Sequence, residues 1–458
     1  DGNRLQVQGQ LDSLADGSND HWDLKAELPA LKKLQPLWKL LLGAGGDARL
    51  AGKLSAEARI DGRWPALSTR GRLEAGELQF GAMEIKRAEG RWDLGTRADA
   101  PLDAQLELSA LSLGAPSAET LKLQLKGTLS KHSLELRAES KALPPLWVEA
   151  LQDAPAGTAS KRSLAQLRLQ GGAVGGGGAG PQGWRGMVQT AQLRGDAAAA
   201  LPWLNLAEFG LEVLWGDGPW RLKADAGRAQ LLGAALSWSR VAWTAASDNT
   251  AARLDAEARL EPLDVAPLLK RANPGFGWGG DLRLGGHLVV QSAPNFSADV
   301  VLERSSGDLT VTDDAGTRAL GLSDLRVGLI ARDGTWSFST GLAGKTLGLA
   351  AGAVVVKSTP KATWPAADAP VQGVLELQIA DLGVWGPWLP AGWRLTGAMH
   401  ANAAIGGRFG APAYEGELSG SGIGVRGRVE GTQVAIGNTV LMQQESVDVA
   451  PLAADAER

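Results

Sequence analysis

Gln105-Leu106-Glu107-Leu108, Leu121-Lys122-Leu123-Gln124-Leu125 and Leu134-Glu135-Leu136 decide how this chain is read. Apolar and polar residues alternate with period two, which sends every leucine to one side of an extended backbone and every charge to the other. The rhythm returns in Asp281-Leu282-Arg283-Leu284 and in Leu375-Glu376-Leu377-Gln378-Ile379. Such segments predict half-buried antiparallel strands, greasy on one face and wet on the other. Gly71, Gly76, Gly81 and Gly90 read as hairpin turns between strands. Charged residues on nearly every strand discourage edge-to-edge aggregation. The predicted fold is mostly β, a long meandering sheet.

Short helical stretches interrupt it. Leu31 to Leu42 carries apolar residues at helical spacing around Pro36, and Pro144 to Leu151, Pro262 to Arg271 and Asp381 to Leu389 are further helix candidates. Proline and tryptophan recur together at Pro36/Trp38, Pro145/Trp147, Pro202/Trp203 and Pro387/Trp388. These rings are expected to fill gaps between helix and sheet; a place at a membrane interface is the weaker alternative. Residues Gly17-Ser18, His21 and Leu24 to Glu27 are echoed by Gly127-Thr128, His132 and Leu134 to Glu139, an imperfect repeat. Units that cannot bury their own apolar face must stack, which predicts an elongated, curled sheet built of repeats. The run Gly171 to Gly183 reads as a flexible loop, and no Gly-Lys-Ser/Thr follows it to cradle a phosphate.

Composition narrows the function. A formal net charge of -4 with no lysine/arginine stripe excludes a nucleic-acid partner, which would need cations to displace counterions from phosphates. With no cysteine there is no disulfide and no thiolate metal site. The four histidines, His21, His132, His287 and His400, lack ligand spacing, so no metal and no cofactor are expected. Carboxylates such as Glu257, Asp308 and Asp313-Asp314 read as solvated strand-surface charges with no convergent partner, so no catalytic residues are nominated. The chain begins at Asp1 without a signal peptide or an apolar run long enough to span a bilayer, and reads as an excerpt from something longer.

Residues 303–356 bring a resemblance into view. Glu303 to Val311, Leu320-Gly321-Leu322-Ser323-Asp324-Leu325 and Asp333-Gly334-Thr335-Trp336-Ser337-Phe338 look like the AsmA-like TamB family, the inner-membrane component of the translocation and assembly module. Leu389 to Trp393, Gly406 to Gly416 and the histidine-bearing strands at His21 and His132 fit the same family, and the resemblance covers residues 1–425. It implies a curled sheet with an apolar groove, phospholipid transport or protein assembly toward the Gram-negative outer membrane, and a TamA-type barrel partner. It also implies a periplasmic body anchored to the inner membrane in the full-length protein. The groove has a physical motive of its own. Bringing about thirty methylenes into water costs roughly 25 kcal/mol at about 0.8 kcal/mol each, and an apolar trough removes most of that barrier. Leu106, Leu108, Leu121, Leu123, Leu125, Leu134, Leu136, Leu375, Leu377 and Ile379 are the groove candidates, facing phospholipid acyl chains. Closure of the same faces into a sandwich is the competing arrangement; the repetition and the resemblance favour the open groove.

The tail, residues 426–458, reads differently. Gly422 to Gly431 and Val434 to Met442 resemble the nucleotide-binding domain of copper-transporting P-type ATPases, with Gly422, Gly424, Gly437 and Asn438 at the matching glycines and Gly-Asn pair. No Asp-Lys-Thr-Gly-Thr, Cys-Pro-Cys or Ser-Glu-His-Pro element accompanies them, and a lone Gly-x-Gly is a weak signal. An ordinary hairpin of the same sheet is the alternative. Three functions therefore compete: a lipid conduit, a scaffold that templates client strands on a sheet edge, and an ATPase fragment.

Overall fold

The computed structural model describes residues 2–12, 19–36, 40, 49–113, 117–141, 161–175, 182–196, 202–216, 218–231, 233–247, 250–273, 277–313, 316–388, 394–429, 432–437, 441–442 and 446. The alternation becomes strands almost throughout, and backbone packing divides them into two units. The first is Asp1–Gly233 with Val241–Ala251; the second is Ala234–Arg240 with Ala252–Arg458.

In the first unit ten strands follow one another as antiparallel neighbours: β1 (Arg4–Gln10), β2 (His21–Leu28), β3 (Leu50–Arg63), β4 (Ala66–Phe80), β5 (Met83–Gly95), β6 (Leu102–Leu113), β7 (Ser117–Thr128), β8 (Lys131–Ser140), β9 (Ser163–Val174) and β10 (Gln182–Gly195). The meander then branches. One half of β10 pairs with β11 (Leu204–Leu206) and the other with β12 (Phe209–Trp215), followed by β13 (Arg221–Ala224), β14 (Gly227–Leu231) and β15 (Ala234–Thr244), of which Ala234–Arg240 is counted with the second unit.

The second unit repeats the plan with β16 (Arg253–Asp264), β18 (Arg283–Gln291), β19 (Ser297–Ser306), β22 (Leu322–Arg332), β23 (Thr335–Gly344), β24 (Gly348–Lys357), β25 (Val371–Ile379), β26 (Arg394–Arg408), β27 (Ala411–Val429) and β28 (Thr432–Gly437). A small three-stranded sheet of β17 (Trp278–Gly280), β20 (Leu309–Asp313) and β21 (Gly316–Ala319) stands apart from it. Turn chemistry explains the tight hairpins. Asp333 and Gly334 both have positive φ, 48° and 77°, which is the two-residue turn whose twist matches a right-handed strand pair.

Among the described residues the helices are shorter than the sequence predicts. Of Leu31 to Leu42, a 3₁₀ turn at Leu31–Leu34 forms, and 37–39 and 41–48 lie outside the described residues, as does all of Pro144 to Leu151. Between Pro262 and Arg271 the helix starts only at α1 (Val265–Ala272). Pro262 instead sits at an irregularity of β16, where the register against β18 slips between Leu260 and Leu263; a residue without N–H cannot keep up the ladder. At Asp381 to Leu389 a 3₁₀ segment, Leu382–Trp388, replaces a full helix, because Gly383, Gly386 and Pro387 are poor helix formers. Of the four tryptophans beside prolines, Trp203 is buried; Trp38, Trp147 and the ring of Trp388 lie outside the described residues.

Most of the described glycines taken as turns or loop are strand residues, and 176–181 of the expected Gly171 to Gly183 loop lie outside the described residues. Gly81 does sit in a turn, but Gly71 and Gly76 belong to β4 and Gly90 to β5. Gly71 stands opposite Trp92, and a Cβ there would strike that indole at 2.6 Å. Gly171 to Val174 likewise end β9, where Gly171 faces Gly186 and the Trp184 ring lies across both. In each case the glycine makes a notch that a cross-strand tryptophan fills, which is a packing reason for a residue that otherwise weakens a strand.

Candidate functional site

Register turns the leucines of the sequence into continuous rows. Residues directly opposite in an antiparallel ladder share a face. One row therefore runs Leu5, Ala26, Ala56, Leu73, Gly90, Leu106, Leu123, Leu136, Leu167 and Ala191, one residue from each of β1 to β10. Two residues to one side lies the row of Leu54, Ala75, Ala88, Leu108, Leu121, Ala138 and Ala165. On the other side lie Val7, Leu24, Ala58, Gly71, Trp92, Ala104, Leu125, Leu134 and Leu169. Seven of the ten groove candidates thus fall side by side. All seven are half-buried, neither sealed nor fully exposed, whereas Leu5 on the outer strand is 64% exposed.

In the second unit the same device serves Leu375 and Leu377. Leu375 belongs to the row Leu260, Gly286, Leu302, Val327, Thr340, Gly352, Leu375 and Ala403. Leu302, Val327 and Leu375 in that row are exposed, at 37%, 52% and 39%. Leu377 is half-buried in the next row with Leu325, Leu342, Ala350 and Ala401. Ile379 is buried, and so lies away from the open rows. The apolar face is closed at both strand ends. At one, Trp336, Val356 and Val371 pack with Phe296, Phe338 and Phe409, and Trp364 stands edge-on over the rings. At the other, Leu282, Leu320, Leu322 and Leu347 pack with Trp278 and α1.

Several members of these rows were not singled out in the sequence. Ala56, Ala88 and Gly90 occupy apolar positions with almost no side chain, so their strands do not read as alternating. Their signal is in the register alone.

The opposite face is polar and cross-braced. Lys25 and Arg72 flank Glu57 from the two neighbouring strands at 3.5 and 2.8 Å, and the hydrogen bond from Arg72, then its charge, holds the Glu57 carboxyl below the usual range. Arg137, foremost by its hydrogen bond, with Arg168 does the same to Glu135, and Lys141 with Arg162 to Glu119. Concavities of about 600, 880 and 680 Å³ open in the first unit, lined by these polar residues together with members of the apolar rows, among them Leu106 in the first, Leu54 in the second and Leu24 in the third. His132 and His21 make structural hydrogen bonds. His132 Nδ1 meets the Thr128 carbonyl at 3.0 Å while its Nε2 accepts from Trp184 Nε1 at 3.0 Å, and His21 Nδ1 meets the Asn19 carbonyl at 3.2 Å. Among the described residues no His/Cys/Asp/Glu group could hold a metal, and no helix is long and apolar enough to cross a membrane.

In the tail, β27 runs unbroken across 425/426, and β28 pairs with it from Gly424/Gly437 to Val429/Thr432. Gly422 has φ +60°, and Gly424 lies against Leu441 and Thr396. Asn438 lies outside the described residues.

Comparison with known proteins matches residues 1–145 to a family model described as TamB, N-terminal domain. The family resemblance is borne out there, over β1 to β8 and the seven half-buried leucines; the Gly-Asp-Leu and Asp-Gly-Thr-Trp text lies beyond the matched segment. No curated protein and no solved structure matches the chain.

Proposed function

We propose that this chain, with its TamB N-terminal domain, is a non-enzymatic conduit for phospholipid acyl chains between the membranes of a Gram-negative envelope, serving outer-membrane biogenesis. The carrying observation is the set of three adjacent apolar rows, the central one running from β1 to β10, in which the seven candidate leucines stay half-exposed. Apolar surface of that continuity is uncommon on a soluble protein and calls for an apolar occupant. In this reading the body is periplasmic, the full-length protein is anchored to the inner membrane, and a TamA-type barrel receives the cargo at the outer membrane.

A second reading has its own support. All seven residues of β1 are exposed, and among the described residues its ladder partner is β2, an edge arrangement of the kind that can template a client strand. A photo-crosslinking residue at Leu123 or Leu377 separates the two. Capture of phospholipid supports the conduit; capture of polypeptide alone overturns it in favour of an assembly scaffold.

A further inference from the structure

Charge on the polar face follows a rule, with an exception at β4–β5 that spans successive pairs. Oppositely charged residues stand directly across from each other and are paired at Lys25/Glu57, Glu57/Arg72, Glu107/Lys122, Glu135/Arg168, Arg283/Asp264 and Glu303/Arg326. Between β4 and β5 the register does the reverse. Arg72 faces Arg91, Glu74 faces Glu89, and Glu89 faces Glu107 on the next strand. Like charges directly opposite destabilise a ladder. Some other like pairs on this face are relieved, since Arg59 is held by Asp61, and Lys122 and Arg137 are held by Glu107 and Glu135; Asp93 facing Asp103 is a further like pair.

At the exception the relief is incomplete. Arg72 is drawn outward to Glu57, Glu89 to Arg87 and Glu107 to Lys122. Among the described residues Glu74 and Arg91 have no ion pair and no hydrogen bond. They stand diagonally across the β4–β5 ladder, about 7–8 Å apart at the backbone. With Arg72, Glu89, Gln105 and Glu107 they line the concavity of about 600 Å³. On β4 and β5 its wall sets a basic pair, Arg72 and Arg91, two residues from an acidic pair, Glu74 and Glu89; Lys122, Glu135 and Arg137 line it further on.

We propose that this concavity binds a small zwitterion, with its ammonium group at Glu74 and Glu89 and its phosphate or carboxylate at Arg91 and Arg72. Such a ligand cancels both repulsions at once, which neither a lone anion nor a lone cation can do. An arginine pair suits an oxyanion because guanidinium donors match two oxygens together. Its charged residues alternate along the strands with Leu73, Leu106 and Leu123, which also contribute to the lining.

The test is calorimetric titration of the whole chain with glycerophosphoethanolamine and with dialanine, against glycerol phosphate and ethanolamine as half-ligands. A zwitterion should bind about tenfold tighter than either half, roughly 1.4 kcal/mol. The tighter of the two zwitterions assigns the anion as phosphate or carboxylate. Glu74→Gln and Arg91→Gln should each abolish that advantage, with melting temperature unchanged or raised because a repulsion has been removed; Glu376→Gln in the second unit should change nothing. Half-ligands binding as tightly as zwitterions, affinity indifferent to both variants, or no saturable binding would each overturn the proposal.

Discussion

Replacing Leu106, Leu123 and Leu136 together by glutamine cuts the central apolar row at three adjacent strands. Fully burying a leucine is worth about 1.5–3 kcal/mol, so three half-buried ones lose roughly 1 kcal/mol each. As direct neighbours they do not add simply, and a total near 2–3 kcal/mol is expected. The effect on an occupant is larger. Three strands cover about 10 Å of the row. Losing about five methylene contacts there, at about 0.8 kcal/mol each, removes about 4 kcal/mol, close to a thousandfold in occupancy. The assay is capture of phospholipid by a photo-crosslinker at Leu125, in the neighbouring row, alongside the urea midpoint of the same variant. Changing Gln105 and Gln124 to serine, on the other face of the same strands, should leave capture intact. Undiminished capture by the folded triple variant would refute the reasoning, since hydrocarbon would then be meeting some other surface.

Trp336→Ala empties the centre of the aromatic cluster at one end of the second unit, where Trp336 is 2% exposed and stacks on Phe296 at 5.1 Å; a loss of about 3–5 kcal/mol should appear as a lower urea midpoint. Asp308→Ala orphans the amides of Leu309, Gly321 and Leu322, all of which donate to its carboxylate at 2.8–2.9 Å. The expected cost is about 3 kcal/mol or more, with hydrogen-exchange protection lost first at those three amides. Acid should destabilise the first unit through Glu57, Glu119 and Glu135, whose carboxyls are held low by their cationic neighbours. The unfolded chain takes up these protons first, so the stabilisation is whole above the ordinary glutamate value, about 4.3, and is lost as pH falls toward the folded values. The urea midpoint should fall across that window, and Glu57→Gln with Glu135→Gln should flatten the fall.

The strands were legible because a period of two admits one reading, and the turn at Asp333-Gly334 because positive φ at both positions demands those residue types. The rows were only half legible. Alternation gives the face a leucine takes but not its partner, so Leu106 beside Leu123 and Leu136 emerges from register, and Gly90 or Ala56 as members of the same row emerge from nothing else. Two of the misread glycines share one reason. At Gly71 and Gly171 a missing side chain makes room for the tryptophan of another strand, and composition cannot distinguish that from a turn. The unpaired Glu74 and Arg91 were invisible too, since each sits in an ordinary alternating strand and is unusual only for the residue it faces.

Closure at the strand ends gives the apolar face of the second unit a direction. Along any one strand the surface runs from the Trp336 cluster to the Leu322 cluster and stops at both, and hydrocarbon lying that way would have to displace packed side chains. Across the strands nothing comparable intervenes: the row through Leu302, Val327 and Leu375 passes over Thr340 and Gly352, where small side chains lower the floor. A chain moving across exchanges one apolar neighbour for another at each step of about 4.8 Å, the spacing of hydrogen-bonded strands. The favourable path therefore follows the hydrogen-bonding direction, and adding hairpins lengthens it without altering its cross-section. That is a physical reason for a meander of similar strands to serve as a conduit, where a sandwich of the same sequence would bury its rows and have no path at all.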